Sequence, residues 1–129
     1  MFNSIFGQDE NPSSSSKLNW ILLKDLGQLN EIITISHEKP VVIFKHSTRC
    51  SVSRMALKQF ENEFYLDSLD QKVLLYFLDL LEYRGISNEI AARFNVIHQS
   101  PQLLLIQNGK SVYAVSHSDI DAEELKEKL

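Results

Sequence analysis

The tightest limit on this chain is set by Val41-Val42-Ile43-Phe44. A strand with one wet face alternates apolar and polar side chains. A continuous β-branched and aromatic run fits a strand buried on both faces, inside a sheet that helices cover from either side. Pro40 closes the segment before it. Cys50 stands six residues beyond Phe44, and from there Val52, Met55, Ala56, Phe60 and Phe64 recur at helical spacing. The reading is a buried strand, a short loop, and an amphipathic helix opened by a cysteine.

The flanking pattern extends this unit in both directions. Trp20-Ile21-Leu22-Leu23 is a short apolar strand. Asp25, with Gln28 three residues later, reads as a helix start, and Leu26, Leu29, Ile32 and Ile33 follow at helical spacing. Val73 to Leu78 is a third strand, ending near Asp79. Ser87 is placed to cap a short helix carrying Ile90, Ala91 and Phe94. Leu103 to Ile106 is a fourth strand, Asn108-Gly109 a hairpin turn, and Val112, Ala114 and Val115 a fifth strand. A closing helix is expected from Asp119 to Leu129. The order β-α-β-α-β-α-β-β-α implies an α/β fold. Early parallel pairing comes from the right-handed crossovers, and the terminal hairpin adds an antiparallel edge. The expectation is a central mixed sheet of about five strands with helices on both faces.

At 129 residues and 43% hydrophobic content, one core is enough. It is assigned to residues 17–129. Residues 1–16, polar from Gln8 onward with Pro12 and a run of serines, read as a flexible N-terminal tail. The net charge of -4, without a dense Lys/Arg stripe, argues against nucleic acid as a partner. No apolar run approaches the ~20 residues that span a bilayer, and the start MFNSIFGQDE lacks the basic and apolar regions of a secretory signal. Neither a membrane partner nor export is expected. The single cysteine excludes an internal disulfide and suits a reducing cytoplasm. His37, His46, His98 and His117 show no metal-ligand spacing, so no metal site is expected.

Cys50 therefore carries the chemistry. It lies where a buried strand crosses to a helix N-terminus, the edge of α/β sheets at which reactive groups collect. The free amides of a first helical turn stabilise an anion there, which favours thiolate over thiol. Lys45, His46 and Arg49 are close enough in sequence to add positive potential, and Ser51 and Ser53 can hydrogen-bond the sulfur. Cys50-Ser51-Val52-Ser53 has CxxC spacing with serine in the second position. Side chains at i and i+3 are neighbours on a helix, so Ser53 is placed to donate to the thiolate, but it cannot resolve a mixed disulfide.

Asn88 to Val96, then Ser100-Pro101, Leu103 to Ile106 and Asn108-Gly109-Lys110 closely resemble the distal half of thioredoxins. The resemblance implies a thioredoxin-like fold in which Pro101 is the cis-proline beside the active cysteine. Lys45-His46-Ser47-Thr48-Arg49-Cys50, Met55-Ala56-Leu57 and His98-Gln99-Ser100-Pro101-Gln102 further resemble the YtxJ family of the bacillithiol system, small monothiol bacilliredoxin-like proteins. That resemblance covers about residues 18 to 129 and implies a bacterial source. It also implies exchange between Cys50 and disulfides of a low-molecular-weight thiol, bacillithiol or similar, acting as co-substrate without a bound cofactor.

On this reading Cys50 is the catalytic residue of a monothiol thiol–disulfide oxidoreductase. His46, Thr48, Arg49, Ser51 and Ser53 surround the thiolate, and His98, Ser100, Pro101 and Gln102 line the substrate side. The partners are proteins carrying mixed disulfides and a small anionic thiol, which Lys45, His46 and Arg49 would favour. The competing readings are a thioredoxin-like adaptor or an iron–sulfur carrier bridging two chains through Cys50, although the CGFS signature is absent, and a thiol peroxidase, although the Pro-rich T-x-x-C pattern is missing. Arg84 is a candidate anion ligand or a solvated loop residue. Asp79 is a base or a loop cap, and Trp20 is a packing residue.

Overall fold

The Val41–Phe44 run lies in the central strand of a five-stranded sheet. The computed structural model describes residues 18–65 and 72–129; the expected tail, 1–16, lies outside the described residues. In chain order the elements are β1 (Trp20–Leu22), α1 (Gly27–Ile35), β2 (Val41–His46), α2 (Ser51–Tyr65), β3 (Leu74–Asp79), α3 (Arg84–Arg93), β4 (Gln102–Gln107), β5 (Lys110–Ser116), a 3₁₀ turn (His117–Asp119) and α4 (Ala122–Lys128). The spatial order is β1-β3-β2-β4-β5, parallel across β1, β3 and β2 and antiparallel across β4 and β5. This is the thioredoxin-like arrangement. Among the described residues no helix is long and apolar enough to cross a membrane.

Every residue of β2 is buried, as a doubly covered strand requires. Alternation along the strand divides the core. Val42 and Phe44 pack with Leu57, Phe60 and Phe64 of α2 and Leu125 of α4. Val41 and Ile43 pack with Leu29 and Ile32 of α1 and Ile86 and Ile90 of α3. Trp20 is the packing residue the sequence suggested. Its ring lies edge-on to Phe44 and Phe77, and its Nε1–H donates to Glu61 at 2.7 Å.

Local chemistry explains the element ends. Ahead of α1, Asp25 Oδ1 accepts from the Gly27 amide at 2.7 Å, and Gln28 Oε1 reaches back to the Lys24 and Asp25 amides at 2.7 and 3.1 Å. The reciprocal pair expected from the sequence thus forms just ahead of the helix. Asn108 and Gly109 both take positive φ, 54° and 77°, which is what a two-residue turn between right-twisted strands demands.

Two boundaries differ from expectation. The closing helix starts at Ala122, not Asp119, because Asp121 caps it by accepting from the Glu123 amide at 2.9 Å and residues 117–119 form a 3₁₀ turn. Ser87 does not cap α3. It lies inside the helix, which begins at Arg84. The exposed Gly85 and the lack of apolar spacing before Ile86 hide that first turn in the sequence.

Candidate active site at the end of the central strand

β2 ends at His46, and four residues later Cys50 starts the next helix. Cys50 N–H donates to the Ser47 carbonyl at 3.2 Å, and its own carbonyl accepts from the Arg54 amide at 3.1 Å. The cysteine is therefore the N-cap of α2, half-buried, with the free amides of the first turn beside it. Arg54, which the sequence reading missed, braces this loop from one turn further along: its Nη1 donates to the Thr48 carbonyl at 2.9 Å. Arg49 and Ser51 are exposed next to the thiol.

Ser53 does not serve the sulfur. It is fully buried, and its Oγ accepts from the Ser47 amide at 3.0 Å and shares a 2.8 Å hydrogen bond with His46 Nδ1. Among the described residues no side chain hydrogen-bonds Cys50 Sγ. Ser53 follows the buried stripe of α2, four residues before Leu57 and seven before Phe60, so it turns into the protein and fastens the loop from inside.

His46 likewise adds no positive potential. It is 1% exposed, lies against the Phe77 ring at 5.4 Å, and burial pushes it down to about 4. Arg54 lowers it further, while Asp79, its register partner on β3, works in the opposite direction. It is neutral at physiological pH. Asp79 caps the loop into α3: its Oδ1 accepts from the Leu81 and Glu82 amides at 3.2 and 3.4 Å.

Lys45 faces the other way. It is fully buried on the α3 side of the sheet, where Nζ donates to the Ser87 carbonyl at 3.1 Å and meets His98 Nδ1 at 3.3 Å. Burial lowers it to about 8, so it keeps its charge at neutral pH. Ser87 Oγ lies 3.3 Å from the same His98 nitrogen. Burial, then Lys45 and Arg84, hold His98 below the usual imidazole range.

The segment before β4 meets this edge. Lys45 pairs with Gln102, and continuing that antiparallel register puts Pro101 across from His46. The Ser100–Pro101 bond is cis, as the resemblance implied. Gln102 Nε2 donates to the Ile97 carbonyl at 2.9 Å, while Gln102 Oε1 and Ser100 Oγ are buried without a partner. Among the described residues no group of His, Cys, Asp and Glu is arranged to hold a metal ion. The residues around Cys50 thus form two sets on either side of β2: His46, Ser47 and Ser53 on one, Lys45, Ser87 and His98 on the other.

A lone cysteine at this strand–helix junction, with a cis-proline just ahead of the neighbouring strand, defines a thioredoxin-fold redox protein. The chain belongs to the monothiol bacilliredoxin family, whose BrxC model matches residues 21–125. It is similar to a solved structure described as a candidate oxidoreductase with a thioredoxin fold, at 31% identity over 84% of this chain and 91% of that one, with a TM-score of 0.72. Thioredoxins share the fold at lower identity. That of Malassezia sympodialis matches at 20% identity over 88% of this chain and 90% of its own, TM-score 0.63. Thioredoxin O2 of Arabidopsis thaliana matches at 21% identity over 84% and 90%, TM-score 0.62. Family and single cysteine together make this a monothiol thiol–disulfide exchange protein.

Proposed function

We propose that the protein takes a low-molecular-weight thiol of the bacillithiol type from protein mixed disulfides and carries it on Cys50. The observation that supports this most directly is the arrangement of the CxxS segment: a half-exposed Cys50 at the start of α2, with the second position filled by a serine that is buried and hydrogen-bonded elsewhere. The Cys50 thiolate attacks the small-thiol sulfur of a protein mixed disulfide. The protein sulfur leaves as a thiolate and takes up a proton, and Cys50 now holds the small thiol as a disulfide. With no second cysteine in the chain, a second small-thiol thiolate attacks that adduct. It releases Cys50 as thiolate and leaves with its partner as the small-thiol disulfide. The reduced resting state of this cycle suits a cytoplasmic site of action, where we place the protein.

Intact mass spectrometry tests the reading. Incubation with oxidised bacillithiol should add one small-thiol mass at Cys50, and added free thiol should remove it. Cys50→Ser should take up nothing while keeping its circular dichroism. An adduct-free wild type, or an adduct that free thiol does not release, overturns the reading.

A further inference from the structure

The α3 side of the site carries two positive charges, on Lys45 and Arg84, and among the described residues neither has an ion-pair partner. The Lys45 ammonium is fully buried, and both of its partners, the Ser87 carbonyl and His98 Nδ1, are uncharged. An ammonium only donates hydrogen bonds, so His98 Nδ1 must accept and the ring proton sits on Nε2. His98 is exposed, and among the described residues that N–H has no hydrogen-bond partner. Arg84 is the first residue of α3, three before Ser87, and so lies one turn away along the same helix face. It too is exposed, its charge acts on His98, and among the described residues it has no hydrogen-bond or ion-pair partner. Of the carboxylates near in sequence, Asp79 accepts from the Leu81 and Glu82 amides and Glu89 pairs with Arg93 at 3.0 Å, while Glu82, two residues before Arg84, is exposed and forms no ion pair with it. The N-cap residue of α3, Tyr83, offers its first turn no side-chain acceptor.

These cations stand at the same sheet edge as Cys50, on the opposite side of β2 from the His46–Ser53 pair. His98 lies three residues before Pro101, in the segment that the β2–β4 register brings across from the end of β2. We propose that Arg84 and the Nε2–H of His98, with the Lys45 ammonium behind them, receive a carboxylate of the small thiol whose sulfur bonds to Cys50. This rests on the exchange function proposed above and adds to it the residues that hold the anionic end of the small thiol. Arg84 supplies the two-pronged hydrogen bonding that carboxylates accept, His98 a fixed single donor, and Lys45 a charge held in place by burial.

The test compares two disulfides on the full chain, oxidised glutathione, which carries carboxylates, and hydroxyethyl disulfide, which is uncharged. Rates of Cys50 loading are read by intact mass, and the quantity of interest is their ratio. Arg84→Gln should lower the glutathione-to-hydroxyethyl ratio about tenfold, the size expected for one charged hydrogen-bonding contact. Arg84→Lys should keep part of the preference. Lys110→Gln makes the same change of charge at the β4–β5 hairpin, at the far end of the sheet, and should leave the ratio at the wild-type value. Added salt should depress the wild-type ratio more than the Arg84→Gln ratio. A ratio that Arg84→Gln does not move, or that Lys110→Gln moves equally, overturns the subsite while the exchange function stands. Loading of Cys50 by neither disulfide removes the exchange function, and the subsite with it.

Discussion

Lys45 and His46 are neighbours in sequence, both basic and both closed off from solvent, yet they end in opposite states. Strand alternation sends Lys45 to the α3 side, where a helix carbonyl and an imidazole nitrogen accept from its ammonium. It sends His46 to the α2 side, where an aromatic ring and a serine hydroxyl surround a neutral imidazole. The same burial acts on both, and what differs is the starting point. A lysine lowered to about 8 is still charged at neutral pH, whereas a histidine lowered to about 4 is not. Basic residues clustered before a cysteine therefore do not add up to one positive field. One side of the strand fastens the cysteine loop with neutral hydrogen bonds, and the other holds a charge.

The most damaging way to break that division is Ser53→Ala. It strips both the buried Ser47 amide and His46 Nδ1 of their partner. Each buried group left unsatisfied costs about 1–3 kcal/mol, so a loss of about 2–6 kcal/mol is expected from urea unfolding at pH 7. Ser53→Thr, which keeps the hydroxyl, should recover part of it. A loss under ~0.5 kcal/mol, the level of an ordinary surface substitution, would mean that Ser53 does not fasten the loop.

Acid should act next. His46 binds its proton only near pH 4 in the folded protein but near 6.5 in the unfolded chain. Its contribution to stability is thus complete above pH 6.5 and is lost as pH falls through 4. Between pH 7 and pH 4.5 the loss should be about 2–3 kcal/mol. Carboxylates titrate in the same range, so the measurement is the difference between wild type and His46→Gln, whose amide takes up no proton. A difference that stays constant over this range would contradict a buried neutral His46.

Lys45 repeats the sign in a higher window. The folded protein releases its proton near pH 8 and the unfolded chain near 10.5, so stability from this group rises between those values and is lost as pH falls through 8. At pH 7 the full penalty is in force. Lys45→Met removes it together with two hydrogen bonds, and should stabilise the protein by about 1–3 kcal/mol at pH 7, an advantage that shrinks toward pH 10. Destabilisation by the methionine would show that the ammonium holds the fold together.

Much of this arrangement was legible before any coordinates. The Val41–Phe44 run implied the doubly covered strand, and the spacing after Cys50 implied α2. The opposite facing of Lys45 and His46 follows from period-two alternation, but their shared charge invites reading them as one group. Ser53 could be read in either of two ways. The i, i+3 rule makes it a neighbour of Cys50, while the stripe through Leu57, Phe60 and Phe64 sends it inward, and the stripe decides. The bonds of Ser87 to Lys45 and His98 could not be read at all. They span 42 and 11 residues, and nothing local records that a buried ammonium needs a carbonyl at that place.

The smallest expected effect sharpens the contrast most. Ser53 and Ser87 are both fully buried helical serines whose hydroxyls meet the Nδ1 of a histidine. Ser53 Oγ also accepts a buried amide, and it meets His46 at 2.8 Å inside the core. Ser87 Oγ lies 3.3 Å from His98, whose nitrogen Lys45 also reaches. The contact of Ser87 with Lys45 runs through its backbone carbonyl, which an alanine retains. Ser87→Ala should therefore leave His98 Nδ1 with its ammonium donor and orphan nothing. The expected change is under ~1 kcal/mol, the net value of one replaceable hydrogen bond, with the loading of Cys50 close to wild type. A loss as large as that of Ser53→Ala would mean that the hydroxyl, and not the Lys45 ammonium, is what holds His98 in place.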